Sequence, residues 1–212
     1  MYPLSEFQTK DTPKPKGRRM TDPQHPRLRK AGEEVEYTVT YLAMEDRPSF
    51  ARPSLVGNTP SALIHAKDPP NWYFLNLYDA VGRDYEWKDR HAQPEDELSA
   101  FVQSQDVHIF TFLRNGWPNG FFVLDHRQKT TTDLAYFGLV KGAVGQGLGT
   151  YLIKTAIHMA WDLQGTERLT INTCTLDHPR ALALYQKHGF KPLRRETNSR
   201  VLTSDWDPDG FP

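Results

Sequence analysis

Residues 35–43, VEYTVTYLA, alternate polar and apolar side chains and favour β-branched and aromatic types, which predicts a half-buried strand. RPSFARPSLVGNTP (47–60) shows no period and reads as a loop. PNWYFLNLYDAVG predicts an aromatic-rich helix ending near Gly82, followed by a second aromatic cluster, and QPEDELSAFVQS predicts a short helix opened by Pro94 and acids. VHIFTFLR (107–114) and GFFVLDHR (120–127) read as strands joined by the turn-rich NGWPNG, and DLAYFGLV (133–140) as a third, giving an antiparallel meander. At Leu148 the period becomes helical, with an apolar stripe of Leu148, Leu152, Ala156, Met159 and Leu163. RLTINTCTL reads as a strand and PRALALYQKHGF as a short helix closed by Gly189. KPLRRE and RVLTSDW read as a final hairpin. The helix between strands 133–140 and 169–175 makes a crossover, so these two strands are expected to be parallel. The fold class is therefore α/β, with a mixed, mostly antiparallel sheet, helices on both faces and a central β-α-β unit.

Composition narrows this picture. At 212 residues the chain suits one domain with a proper core. Residues 1–33, rich in Pro, Lys and Arg, read as a flexible basic arm, 34–204 as the domain and 205–212 as a tail. With 26 basic and 26 acidic residues there is no polyanion-binding excess, so no nucleic-acid partner is expected. No apolar run is long enough to span a bilayer, and MYPLSEFQTK carries no export signal, so no membrane association and a cytoplasmic location are expected. Cys174 is the single cysteine, which excludes an internal disulfide and reads as a small core hydrophobe. The histidines are scattered without ligand spacing, so no metal is expected.

One stretch spends stability without filling a core. VGQGLGTYLI places Gly145, Gly147 and Gly149 at alternate positions at the mouth of the helix. Glycine lets backbone amides approach a ligand, and a helix N-terminus favours an anion. A dinucleotide fingerprint needs GxGxxG and an acid after the next strand, and a P-loop needs GK[ST]; neither is present.

LVKGAVGQGLGTYL resembles the acyl-CoA loop of the GNAT superfamily of N-acetyltransferases, [QR]xxGx[GA], and HPRALALYQKHGF resembles that family's NxxAxxLYxxxGF signature. Their spacing, one helix and one strand, agrees, and the resemblance spans roughly residues 105–196. Val144 stands where Gln or Arg is usual, and His178 where Asn is usual. The resemblance implies acetyl-CoA as co-substrate, with its pyrophosphate on the amides of Gly145, Gln146, Gly147, Leu148, Gly149 and Thr150, and Val144 beside them. It implies pantetheine contacts from the backbone of Leu139 and Lys141, and from His178. It also implies a bulge in the strand before the loop, which Gly138 marks.

Acetyl transfer to an amine needs a proton removed from an ammonium of pKa near ~10, stabilisation of the oxyanion, and protonation of a thiolate. By the resemblance, Tyr185 is the general acid; as a bare residue it is an amphipathic core tyrosine. Asp133 stands where some members carry a general base. Alternation places it with Ala135 and Phe137, six residues or about 20 Å from Leu139, so it would work through water. Its other reading is a solvated acid at a strand start. Glu86, among the aromatics, is a second candidate base, or else a surface acid. Trp72, Tyr73, Tyr78, Tyr85 and Trp87 read as core, some of them walling the acceptor site.

The function expected is acetyl transfer from acetyl-CoA to a primary amine of a small molecule, by direct attack in a ternary complex. A protein lysine or N-terminal acetyltransferase and a non-catalytic acyl-CoA-binding regulatory module stay open, as does a homodimer.

Overall fold

The computed structural model describes residues 27–54 and 58–211. The first 26 residues of the expected arm lie outside them. The elements run β1 (Glu34–Met44), β2 (Ser61–Ala66), α1 (Asn71–Gly82), α2 (Glu95–Val102), β3 (Val107–Arg114), β4 (Trp117–Gln128), β5 (Thr131–Leu139), α3 (Leu148–Asp162), β6 (Arg168–Cys174), α4 (Ala181–Lys187) and β7 (Lys191–Val201). Among the described residues, seven strands form one sheet in the order β2-β3-β4-β5-β6-β1-β7. Every neighbouring pair is antiparallel except β5 and β6. The mixed sheet and the parallel crossover agree with the fold class read from the sequence.

Each face of the sheet carries helices. On one, Leu152, Ile153, Ala156 and Ile157 of α3 pack with Phe122, Leu134, Phe137 and Tyr185. On the other, Phe74 and Tyr78 of α1 and Phe101 of α2 pack with Phe121, Val123, Ala135 and Tyr136. The residues that build the first stripe are the apolar positions of the α3 pattern, buried at helical spacing.

One strand is added and two readings are corrected. The loop expected over 47–60 is followed by an edge strand not read from the sequence, β2, which pairs with β3. The C-terminal hairpin does not form: residues 191–201 are one strand against β1, whose other edge holds β6. The bulge falls at Ala135 rather than Gly138. Leu134 and Tyr136 pair with the adjacent residues Leu124 and Val123, leaving Ala135 over. Accordingly Leu134 and Phe137 face α3 while Ala135 and Tyr136 face α1. Gly138 has another purpose: a Cβ there would meet Val81 Cγ1 at 2.3 Å, so glycine is what lets α1 cross β5 this closely.

Residues 27–33 lie against the C-terminal segment. Arg29 and Trp206 exchange backbone hydrogen bonds, Ala31 N–H donates to Asp205, and Lys30 pairs with Asp205. Among the described residues no helix is long and apolar enough to cross a membrane.

Candidate active site

The parallel ladder between β5 and β6 covers only Thr131–Arg168, Thr132–Leu169 and Asp133–Thr170. Beyond Asp133 the two strands part, and the edge of β5 from Leu134 onward no longer pairs with β6. The extra residue Ala135 bends β5 at this point. The result is a wedge between two strands, open toward the head of α3.

A cleft of about 400 Å³ occupies the wide end of this wedge. It brings together Val144, Gly145, Gly147, Gly149 and Thr150 from the loop, Leu139 from β5, and His178 and Tyr185 from the α4 region. Gly145 and Gly147 have φ of +82° and +76°, where side chains are strained, and a Cβ on either would meet nothing within 4 Å. These glycines answer to backbone conformation and leave space in front of it. Among the described residues no side chain caps α3, and its first turn carries no acid. The amides at its start therefore face the cleft without a protein acceptor supplied by a cap, the arrangement that suits an oxyanion. Arg180 lines the same cleft and adds a cation that the motif comparison does not show.

Three of the expected cofactor residues stand outside the cleft lining. Lys141 reaches away to Asp84 at 2.8 Å. Gln146 folds back onto Gly142 O and accepts from Arg114, bracing the loop from outside. Leu148 packs into the core below the loop. Their backbones stay in the segment the sequence identified.

Tyr185 is 4 % exposed and packs edge-on against Phe137 at 6.0 Å between ring centres. Burial, then the charge of Asp177, pushes its phenol well above the usual range, so it holds its proton at neutral pH. Asp177 was not singled out by sequence. It ends β6 by accepting from Thr173 Oγ1 at 2.8 Å and Cys174 N–H at 2.9 Å, and takes the Trp87 indole N–H at 3.1 Å. That last bond ties the aromatic segment after α1 to the cleft, and Trp87 and Tyr85 both line it. His178 Nδ1 accepts from Arg180 N–H at 3.1 Å, which leaves the proton of the neutral ring on Nε2. Burial pushes the Cys174 thiol up to about 12, fitting an unreactive side chain.

The two candidate bases part company. Glu86 is not a surface acid: it is 1 % exposed, at a left-handed φ of 58°. Its carboxylate accepts from the amides and hydroxyls of both Thr203 and Ser204, the shortest bond being 2.7 Å from Ser204 Oγ. Burial raises its pKa, but these bonds outweigh burial and hold it below the usual carboxylate range. With its lone pairs committed to the C-terminal segment, Glu86 is a structural pin. Asp133, placed by the alternation with Phe137, in fact lies on the opposite face, because the bulge intervenes. It accepts from Thr170 Oγ1 at 2.6 Å at the last rung of the parallel ladder. Burial pushes it up to about 6. It lines a second cavity, about 600 Å³, together with Ala135 and Tyr136. The two cavities take neighbouring stretches of β5: Asp133, Ala135 and Tyr136 border one, and Phe137, Gly138 and Leu139 the other.

Comparisons with known proteins agree with this geometry. A curated relative, the mycothiol acetyltransferase of Jonesia denitrificans, is 41 % identical over 73 residues, which is 34 % of this chain and 23 % of that one. A GCN5-related N-acetyltransferase from Kribbella flavida superposes with a TM-score of 0.50 at 17 % identity, covering 87 % of this chain and 62 % of that one. One from Sphaerobacter thermophilus superposes with a TM-score of 0.50 at 13 % identity, over 85 % and 55 %. The chain thus spans less than two thirds of the length of each of these relatives. The model of the "Acetyltransferase (GNAT) family" matches residues 74–190, more than half of the chain and the whole wedge between β5 and β6 with its loop and Tyr185. This chain belongs to the GNAT acetyltransferase family.

Proposed function

We propose that the chain transfers an acetyl group from acetyl-CoA to a primary amine of a small molecule, both substrates being bound at once. One observation carries the reading. The parted strands β5 and β6 have an uncapped, glycine-lined helix start on one side and a cavity holding an ionisable carboxylate on the other.

Acetyl-CoA, the co-substrate that the family implies, supplies an activated acyl group on a thiol. The amides from Gly145 to Thr150 would bind its pyrophosphate, with Arg180 adding charge. The unpaired edge of β5 around Leu139 would hold the pantetheine as an additional strand, and its N–H groups would meet the negative charge that develops on the carbonyl oxygen. In the reaction the amine nitrogen forms a bond to the carbonyl carbon, the carbon–sulfur bond breaks, and the sulfur leaves with the electron pair. Asp133, ionised above about 6, takes the amine proton through a chain of waters along β5. Tyr185 donates a hydrogen bond to the departing sulfur. Its raised phenol pKa makes outright transfer uphill to a thiolate whose acid has a pKa of ~8.5, so its help is stabilisation of developing charge.

A small acceptor is supported by the bounded cavity next to Asp133, and by a relative named for mycothiol acetylation. The test is twofold: calorimetry with acetyl-CoA, and thiol release across a panel of amines, amino acids and lysine peptides. Micromolar acetyl-CoA binding with turnover on small amines supports the proposal. Binding without turnover on any amine would favour a regulatory acyl-CoA module, and turnover confined to peptides a protein acetyltransferase.

A further inference from the structure

Four arginines line the cavity that holds Asp133: Arg90, Arg127, Arg168 and Arg194. Three have a carboxylate. Arg127 grips Asp125 through Nε at 2.9 Å and Nη2 at 2.7 Å, Arg168 grips Glu45 in the same two-pronged way, and Arg194 pairs with Glu196. Arg90 is the exception and is also the most deeply placed, at 7 % exposure. Its Nε donates to the Tyr136 hydroxyl at 2.6 Å and its Nη1 to Gln93 Oε1 at 2.7 Å, both neutral acceptors. Its guanidinium lies 4.0 Å from the centre of the Phe101 ring. No described carboxylate lies within ion-pair distance of it. Of the five N–H donors of a guanidinium, two are thus used, and the remaining three find no acceptor among the described residues.

A buried guanidinium without a counter-ion is costly unless something supplies the charge. Here it is held rigidly, stacked on Phe101 and aimed by Tyr136, as a preorganised anion receptor would be. The acids of the cavity cannot serve: Asp125 is committed to Arg127, and Asp133 accepts from Thr170. Tyr136 stands three residues from Asp133 on β5, and both line the cavity, so a cationic and an anionic recognition point share one chamber.

Resting on the acetyl-transfer reading above, we propose that the acceptor is an amine that also carries a carboxylate, as an amino acid does. Its carboxylate is received by Arg90, and its nitrogen is turned toward the thioester, with waters relaying its proton to Asp133. The charges that line the chamber match a zwitterion: the Arg90 guanidinium for its carboxylate and, at longer range, the Asp133 carboxylate for its ammonium. A neutral amine would leave Arg90 unpaired in the complex, so discrimination comes from the missing partner as well as from the added bond.

The experiment compares the common amino acids, each with its own carboxamide, as acceptors with saturating acetyl-CoA. In parallel, N-acetyl amino acids and their amides are titrated by calorimetry onto the CoA-bound protein. The parent chain should prefer at least one acid over its amide by about tenfold to hundredfold, in kcat/KM and in product affinity. In Arg90→Gln that ratio should fall toward one while acetyl-CoA affinity holds. Tyr136→Phe, which keeps the charge but frees its aim, should give an intermediate ratio even if Arg90→Gln fails to fold. Equal use and equal binding of acids and amides by the parent chain, or an unchanged ratio in both variants, would overturn the proposal. Failure to turn over any amine while N-acetyl amino acids still bind through Arg90 would instead overturn acetyl transfer and leave the anion site standing.

Discussion

Asp133→Asn should make the protein more stable and less active, and the two effects should part with pH. A carboxyl whose folded pKa rises from 3.8 to about 6 is held in a place that disfavours its charge. Below pH ~4 both the folded and unfolded chains keep this proton, and it contributes nothing. Between ~4 and ~6 the unfolded chain has lost the proton while the folded chain retains it, so stability falls as pH rises. Above ~6 the full cost is in place. At 1.36 kcal/mol for each pH unit, that rise corresponds to about 3 kcal/mol. Water at the mouth of the cavity screens part of it, so about 1–3 kcal/mol is expected. Asparagine cannot ionise, and its Oδ1 still accepts from Thr170, so the variant escapes the cost. At about 2–4 °C per kcal/mol for a chain of this size, its Tm should exceed the parent's by several degrees at pH 8 and match it at pH 4. Turnover should fall at neutral pH, and the acidic limb of the parent's kcat/KM profile, near pH 6, should disappear. At high pH, where the amine loses its proton unaided, the deficit should shrink. Thermal melts at both pH values and a pH–rate series check this. A variant destabilised at both pH values would refute the desolvated carboxylate. An activity loss that is constant across pH would make Asp133 a residue that positions the acceptor.

Gly147→Asp should abolish acetyl-CoA binding, since it puts a strained side chain and a negative charge in front of the α3 amides; titration of a variant with parent-like circular dichroism checks it. Tyr185→Phe should keep acetyl-CoA affinity and lower kcat by about 10- to 100-fold, the worth of a hydrogen bond to developing charge, measured by steady-state thiol release. Glu86→Ala should cost about 3–5 kcal/mol in chemical denaturation by stranding the donors of Thr203 and Ser204, without removing the acidic limb of the pH–rate profile. Because its folded pKa lies below the unfolded value, the parent's stability from Glu86 is present at neutral pH and lost as pH falls through the carboxylate range.

What was legible in the sequence is what repeats locally. The helix at 71–82, the meander and the α3 stripe each carry their own period, and the glycine loop carries its own chemistry. β2 was missed because SALIHA keeps no alternation on an edge with little buried face. The 191–201 strand is exposed along almost its whole length, so only its backbone pairing to β1 reveals it. Ala135 gives no sign that it is the extra residue, whereas Gly138 attracts notice for a reason that belongs to α1. Glu86 and Arg90 look like solvated charges within DYEWKDR. Their burial depends on Thr203 and Ser204 for one and on Phe101 and Tyr136 for the other, partners that no local window contains.

The place of β1 has a consequence for how the chain reaches this state. β1 is zipped on both edges, and its partners on β6 and β7 lie more than a hundred residues further along. During synthesis it emerges long before either exists, with two rows of amides and carbonyls and a set of apolar side chains left waiting. The meander and the β5-α3-β6 unit, by contrast, close over short spans and can assemble while the ribosome is still at work. Among the described strands, the first-made is therefore expected to slot last, between two made much later. This is a slow closure with high contact order, in which the nascent β1 is the segment most in need of a chaperone.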